Sequence, residues 1–317
     1  MNWLLIRGEV SRRTRVILGV AGILLVLLVW TLLTMGENPV YPPIILPSPL
    51  KVLAAFQDLY LDNNLVGNTA RSLGLNLAGY VEAILISIPV GFAIGLFIPF
   101  RFAFLKQIEG IRYLPIVALM GLFIVWFGVG TSMKVHFLAV GIIIYLLPMM
   151  IVRIDEVNDV YVKTVYTIGA TNWQTIKTVY FPSVLSRISD DIRVLTAISW
   201  TYIIVVEGGI ASTGGIGSLI WRMGMRQGRM DKAFALLILI IIIGVIQDRL
   251  FVRLDRYLFP HKYQLRDAER ASRMRKESLF TVIWTYASKT IGRVFLGLYL
   301  ILFVIDVFGL MGEFRPL

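Results

Sequence analysis

The sequence predicts an all-α polytopic membrane protein, and two properties of the chain support this fold class. Hydrophobic residues make up 57% of the 317 residues and charged residues only 16%, with a mean hydropathy of +0.76. Such a composition is too apolar for an ordinary soluble domain. Apolar stretches close to the length of about 20 residues that spans a bilayer also recur along the chain. They predict seven spans, at residues 16–35, 75–97, 111–127, 135–152, 192–206, 233–251 and 291–310.

The first span follows a basic flank, an arrangement that also occurs in signal peptides. We interpret it as a retained anchor, because its apolar run is too long for a signal peptide and no small-residue cleavage site follows. Most of the 31 lysines and arginines lie on the inner side if residues 1–15 are cytoplasmic. This topology also places a polar insert, 153–191, and a charged linker, 263–280, in the cytoplasm. Anionic lipid explains the net charge of +11, so no nucleic-acid partner is expected.

The segment between the first two spans lies outside in this topology. Its prolines favour extended or turned backbone. Ser48 is a suitable N-cap for a short helix with Pro49 in its first position. Val52, Leu53 and Phe56 would give that helix an apolar face for the membrane interface. An ordered loop without a partner fits the same residues.

The insert is predicted to form two short helices joined by a turn. An apolar stripe with helical spacing marks the first helix, and Gly169 is typical of a residue that ends one. Thr171 and Gln174 have the spacing of a capping box, which would start the second helix. Pro182 is expected to end it after about ten residues, because proline lacks the amide that a continuing helix needs. The stripe consists of Ile154, Val157, Tyr161, Val165 and Ile168.

The insert resembles the cytoplasmic coupling segment of ABC importer permeases. The family pattern is Glu-Ala-Ala, three residues, Gly, nine residues and Ile-x-Leu-Pro, and this chain keeps the spacing from Gly169 to Val179-Tyr180-Phe181-Pro182. Residues 163–165 replace the Glu-Ala-Ala triplet, which is a departure from the pattern. The resemblance implies that a separate ATPase contacts Lys163, Thr164, Val165, Gly169, Ala170, Thr171, Trp173, Val179, Phe181 and Pro182.

Three further stretches are similar to the nitrate, sulfonate/taurine and bicarbonate branch of that family. The resemblance covers about residues 16–262 and implies the type I ABC importer transmembrane-domain fold, with about six family helices. The apolar segment 281–317 is then an extra C-terminal span. The three stretches are Leu46-Pro47-Ser48-Pro49, Trp126-Phe127-Gly128-Val129-Gly130 followed by Lys134, and Glu207 followed by Gly215-Ile216-Gly217.

The resemblance implies a permease subunit of an ATP-driven importer in a bacterial inner membrane, working by alternating access. Its implied partners are ABC ATPase subunits, a second permease copy or a paralogous permease, and an extracytoplasmic solute-binding protein. The chain contains no Gly-x-x-x-x-Gly-Lys loop, so it is expected to bind no cofactor, and ATP and Mg²⁺ belong to the ATPase. The implied solute is nitrate, a sulfonate such as taurine, or bicarbonate. Riboflavin or a pyrimidine vitamin precursor, an ion-driven carrier and a non-transporting scaffold are the alternatives.

Ionisable residues at membrane depth are costly, so Glu82 and Glu207 are candidates for the substrate path or gate. Gly215 and Gly217 join them, because irregular glycine-rich backbone is tolerated beside a cavity. The alternative is that Glu207 anchors that turn by hydrogen bonds.

The remaining polar and glycine motifs are expected to be structural. His136 and His261 lack metal-ligand spacing and are expected to be packing or interface residues. Asp190-Asp191 is expected to pair with Arg187 or Arg193 or to cap the next helix. Gly91 and Gly95 have the small-xxx-small spacing of close helix contacts. No catalytic residue and no metal site are predicted.

Overall fold

The computed structural model describes residues 11–36, 39–209 and 214–263, and every regular element within those ranges is helical. The predictions for residues 1–10, for the charged linker after Tyr263 and for the C-terminal span 281–317 fall outside the described residues. The α-helices are α1 (Arg12–Thr34), α2 (Pro49–Asp62), α3 (Leu65–Leu96), α4 (Ile98–Ile111), α5 (Met120–Phe127), α6 (Thr131–Asp155), α7 (Asp159–Thr167), α8 (Asn172–Thr175), α9 (Phe181–Gly209), α10 (Ile216–Ile220) and α11 (Met230–Leu258).

Five helices of the described chain are long and apolar enough to cross a membrane: α1, α3, α6, the continuous helix Asn172–Gly209 and α11. The prediction of a single helix over 111–127 is wrong. There α4 and the segment Ile116–Phe127 are long and apolar enough to cross a membrane only when taken together, and they are bent by 96° relative to each other. Pro115 explains the break, because its nitrogen has no hydrogen to donate and its ring disfavours helical backbone at Leu114.

The predicted helix end at Pro182 is also wrong. After α8 the backbone passes through a π-helical turn, Ile176–Tyr180, directly into α9, so that residues 172–209 form one helix of 38 residues. A π turn widens the ladder of backbone hydrogen bonds, which accommodates the missing amide of Pro182 without ending the helix. The second half of the insert is therefore the start of a long span.

The first of two compact units comprises residues up to Leu65 together with Ile220–Ile238. Within it α1 exposes its apolar side chains, as a lipid-facing helix does. The Trp30 indole donates a hydrogen bond to the Pro47 carbonyl (2.9 Å), which fixes the loop before α2. As predicted, α2 begins at Pro49 after Ser48, although its buried face is Val52, Ala55 and Leu59, and Leu53 lies exposed.

The second unit, Val66–Leu219 and the residues from Leu239, has its core along α3, α6 and α9. A Cβ at Gly91 would lie 2.7 Å from Met150 Cβ, and one at Gly95 would lie 2.5 Å from Ile154 Cδ1. These distances confirm that the two glycines allow α3 and α6 to pack closely within the subunit. The shared core includes Leu138, Ile142, Leu146 and Met150 of α6 and Val184, Ile188, Leu195 and Ile203 of α9.

Candidate functional site

The turn between α7 and α8 forms an exposed projection, which we call the coupling tip (residues 159–175). Gly169 has φ +83°, and its amide donates to the Tyr166 carbonyl (3.0 Å), so it ends α7 as the sequence predicts. The predicted capping box is also present. Gln174 Oε1 accepts from the Thr171 amide (2.7 Å), and Thr171 Oγ1 accepts from the Gln174 amide (3.3 Å). Hydrogen bonds of the tip itself therefore hold this turn in shape.

The coupling tip exposes large apolar side chains. Trp173 is 71% exposed and Ile168 is 80% exposed, with Tyr161 and Val160 exposed beside them in sequence. None of the α7 side chains is buried. A cluster of exposed apolar side chains on a polar segment is typical of a surface that another protein covers.

The residues predicted to contact an ATPase divide into two groups. Lys163, Thr164, Gly169, Thr171 and Trp173 are exposed on the tip, and Pro182 is exposed on α9. In contrast, Val179 is buried and Val165 packs against the core, so these two side chains belong to the hydrophobic core in this conformation. The Phe181 ring stacks on Phe92 of α3, with ring centroids 5.7 Å apart. Ala170 is half-buried.

A network of ion pairs fixes the base of the tip. The Arg153 guanidinium donates two hydrogen bonds to Asp191 (both 2.7 Å) and two to Glu156 (2.9 and 2.8 Å). Arg187 also contacts Glu156 (3.2 Å), and the hydrogen bonds from Arg153 hold the pKa of the Glu156 carboxyl below its usual value. For Asp191 the predicted partners, Arg187 or Arg193, are therefore wrong, whereas Arg193 does interact electrostatically with Asp190. Bidentate geometry favours Arg153, which approaches from α6.

The opposite end of α9 carries a buried carboxylate. Glu207 is fully buried and accepts hydrogen bonds from Ser72 Oγ (2.8 and 2.9 Å) and from the Gly217 amide (2.8 Å). Ser72 Oγ in turn accepts from the Ile216 amide (2.8 Å), and Asn68 Oδ1 accepts from the Gly215 amide (2.7 Å). These contacts tie α3, α9 and the start of α10 together, and we call them the Glu207 junction.

Two glycines of the junction have no space for a side chain. Gly215 has φ +103°, and a Cβ there would overlap the Glu207 carboxylate. A Cβ at Gly217 would lie 2.8 Å from both Cα and the carbonyl oxygen of Ile204. Glycine is therefore required at both positions by packing, and in this conformation the Glu207 carboxylate has the geometry of an anchor.

Lys134, next to the Trp126–Gly130 stretch in the sequence, lies in the same buried region. Its side chain is 2% exposed, and its ammonium has no hydrogen-bond partner among the described residues. It interacts electrostatically with Glu207, as does Arg71. Burying a charge without a hydrogen bond is costly, so the nearby carboxylate compensates this cation only in part.

The other predicted path residue, Glu82, has a partner that the sequence analysis did not assign. Glu82 Oε1 lies 2.7 Å from His136 Nδ1, and the two side chains are 27% and 35% exposed. The imidazole also lies against Phe127, with ring centroids 4.5 Å apart. Glu82 and His136 thus form a half-exposed polar pair on α3 and α6, separate from the Glu207 junction.

Long membrane helices and an exposed turn between α7 and α8 define the class of protein: a multi-pass membrane protein with an exposed segment among its helices. The model of the family described as "binding-protein-dependent transport system inner membrane component" matches residues 80–259, and the chain belongs to this family. It is an ABC importer permease, a transport subunit for small solutes, of the taurine/sulfonate branch.

Three relatives with named substrates are transport permeases. The chain is 27% identical over 223 residues to a taurine transport system permease protein of Escherichia coli, covering 69% of this chain and 79% of the relative. A putative aliphatic sulfonates transport permease protein of Bacillus subtilis is 27% identical, with 72% and 81% covered. A riboflavin transport system permease protein of Chloroflexus aurantiacus is 28% identical, with 57% and 67% covered.

Solved structures support the fold independently. The MetNI methionine ABC transporter in inward-facing conformations matches with a TM-score of 0.50 and 16% identity, covering 59% of this chain and 93% of that chain. The predicted fold, that of a type I ABC importer transmembrane domain, is therefore confirmed.

Proposed function

We propose that a separate ABC ATPase binds the coupling tip and that its ATP-driven closure moves α9, switching this permease between inward- and outward-facing states. One observation carries the proposal: the helix Asn172–Gly209 starts in the exposed tip and ends in the Glu207 junction. At 1.5 Å per residue it is about 57 Å long, enough to cross the bilayer. A force on Trp173 would therefore act on Glu207 through one continuous helix.

The ion pairs support this role for α9. Arg153 connects α6 to Asp191 of α9, and Arg101 of α4 makes two 2.7 Å hydrogen bonds to Asp155 at the end of α6. The Arg153–Asp191 pair lies just before the predicted span 192–206, and the Arg101–Asp155 pair joins α4 to the same end of α6. They would make α4, α6 and α9 move together, so that the ATPase shifts a packed unit.

We propose a small sulfonate of the taurine type as the solute, with nitrate and bicarbonate as related anions. The named taurine and sulfonate relatives support this choice. Riboflavin or a pyrimidine precursor is the second candidate, because permeases for riboflavin and formylaminopyrimidine are also relatives.

The half-exposed Glu82–His136 pair is the proposed element of the solute path, because an ionisable pair facing lipid would be costly.

The proposed assembly contains two permease subunits, this chain twice or with a paralogue, two ATPases that hold ATP and Mg²⁺, and an extracytoplasmic solute-binding protein. We place it in a bacterial inner membrane with the N-terminus cytoplasmic, as the positive-inside rule favours. Anionic lipid then surrounds the basic inner flanks.

The docking proposal is tested with a matched pair of variants at Gly169. Nothing lies within 4 Å of a Cβ there, so only its φ of +83° limits substitution. Asparagine tolerates this conformation, whereas valine is strained in it by about 1–2 kcal/mol. Tagged proteins are purified from native membranes in mild detergent. We expect Gly169→Asn to retain a co-purifying P-loop ATPase and Gly169→Val to lose most of it. If both retain equal ATPase, or if wild type retains none, the proposal is wrong.

The solute proposal needs a separate measurement. The complex with its ATPase is reconstituted in liposomes, together with its solute-binding protein, and uptake of radiolabelled taurine and riboflavin is compared. We expect ATP-dependent taurine uptake, and a large loss in Glu82→Gln without loss of ATPase binding. Uptake of riboflavin alone would replace the sulfonate assignment with the vitamin one.

A further inference from the structure

An apolar groove lies between α9 and α11 in the second unit. Its volume is about 260 Å³. The two helices present residues at steps of three and four, so each contributes one helical face. Leu254 and Leu258 line the groove and are still 51% and 55% exposed. The apolar lining is Ile84, Leu185, Ile188, Ile192, Phe251, Val252, Leu254, Leu258 and Phe259.

Hydrogen bonds and ion pairs hold the last described turn of the chain at the edge of this groove. Lys262 Nζ donates to Ser189 Oγ (2.8 Å) and lies 3.1 Å from Asp255 Oδ1 and 3.3 Å from Asp190 Oδ2. The Tyr263 hydroxyl donates to Asp255 Oδ2 (2.6 Å), and Tyr263 itself lines the groove. The residues that follow Tyr263 therefore start from the mouth of the groove.

The cations at the groove edge already bind carboxylates. Arg193 makes a bidentate ion pair with Asp248, and Lys262 contacts Asp190 and Asp255. A lipid phosphate would have to displace these carboxylates from Arg193 and Lys262. The groove therefore favours an occupant that is apolar where it enters.

The chain itself supplies such an occupant. The matching family domain ends at residue 259, whereas this chain continues to Leu317. After a charged stretch, 264–277, the sequence becomes apolar at Leu279-Phe280-Thr281-Val282-Ile283-Trp284. A linker of this length spans up to about 50 Å when extended, so it does not prevent the apolar run from returning to the groove.

We propose that the segment 279–290, which begins with the apolar run Leu279–Trp284, docks into the groove between α9 and α11, with its bulky side chains against Leu254 and Leu258. This interaction surface is internal to the chain and closes a gap that the shared family domain leaves open. It is independent of the solute and of the ATPase.

The absence of cysteine makes the test direct. Leu254→Cys is combined in turn with a single cysteine at each position from 279 to 290, and a protease site is inserted in the 264–277 linker. Membranes are oxidised and then cleaved. A disulfide requires Cα atoms about 4.4–6.8 Å apart, so only docked positions keep the C-terminal fragment attached without reductant. Val245→Cys, exposed on the same helix but outside the groove, is the matched control.

With Leu254→Cys we expect at least fivefold more of the C-terminal fragment to be retained than with the Val245→Cys control. The cysteine positions that give retention should be spaced three to four residues apart. Equal retention with both cysteines would overturn the proposal, as would disulfides that join two copies of the chain. A second readout avoids cysteine chemistry. After cleavage in detergent, the fragment should co-purify with the wild-type domain and be lost from Leu254→Arg, whereas Tyr257→Arg, at an exposed position of the same helix end outside the groove, should keep it. Retention by Leu254→Arg contradicts docking.

Discussion

The two ends of the helix Asn172–Gly209 are built in opposite ways. At the tip, Trp173 and its neighbours are exposed, and the turn is held by hydrogen bonds within a few residues. At the other end, Glu207 is fully buried and receives hydrogen bonds from α3 and from the backbone at the start of α10. The comparison teaches that one end leaves large apolar side chains exposed, whereas the other is fixed by contacts inside the subunit. Changes at the junction should therefore affect folding, and changes at the tip should affect coupling.

The largest effect is expected at the junction. Gly217→Val would force a side chain against the Ile204 backbone, which cannot move aside as a side chain can. We expect a cost of about 3 kcal/mol and a severe loss of monodisperse protein by size-exclusion chromatography. Gly121→Val is the control, because nothing lies within 4 Å of a Cβ at Gly121. Equal yields of the two variants would contradict the packing of the junction.

Trp173→Ala tests whether the exposed indole of the tip contributes to ATPase binding and not to folding. An exposed aromatic at the centre of an interface typically contributes about 2 kcal/mol, or roughly 30-fold in affinity. We expect weaker ATPase binding by about that factor, measured by titration of the purified ATPase, with an unchanged melting temperature. Tyr257→Ala removes another exposed aromatic, outside the tip, and should leave affinity unchanged. A drop in stability without a drop in affinity would show that Trp173 is a folding residue.

The base of the tip should show coupling between Arg153 and Asp191. Either single change, Arg153→Met or Asp191→Asn, leaves a partly buried charge without its bidentate partner. We expect each to cost about 1–2 kcal/mol, reduced from buried-pair values because Arg153 is partly exposed. The double variant should cost clearly less than the two single changes added together in denaturant unfolding. Additive losses would mean that the two residues act separately.

The smallest effect is expected from the capping box. Thr171→Ala removes one acceptor for the Gln174 amide and should cost about 1 kcal/mol, confined to the tip. Hydrogen exchange of residues 171–176 should rise, with a modest fall in ATPase affinity. Thr178→Ala, whose hydroxyl only donates to the Gln174 carbonyl, is the control. Unchanged exchange in Thr171→Ala would show that the box does not stabilise the turn.

Local chemistry made part of this molecule predictable from sequence. The turn at Gly169 and the Thr171–Gln174 box each depend on residues close together in the chain, and the Gly91–Gly95 spacing marks a helix face that another helix can approach closely. The continuation of the helix through Pro182 was not predictable, because a π turn is chosen by packing of the flanking residues. The Arg153–Asp191 and Glu82–His136 pairs join different helices, and a single sequence does not specify which faces meet. For both pairs, the only signal in the sequence was an ionisable residue on an otherwise apolar helix.

The central claim is that residues 172–209 move as one rigid helix between the tip and the junction. Spin labels at Asn172→Cys and Thr201→Cys test it directly, since both positions are exposed and the chain has no other cysteine. Their 29-residue separation gives a distance of about 44 Å. We predict one narrow distance distribution within the subunit by double electron–electron resonance, unchanged when ATP is added to an assembled complex in which labelled chains are diluted with unlabelled ones. A shift or a broad second population on ATP addition would show that the helix bends between its ends, and would contradict the account.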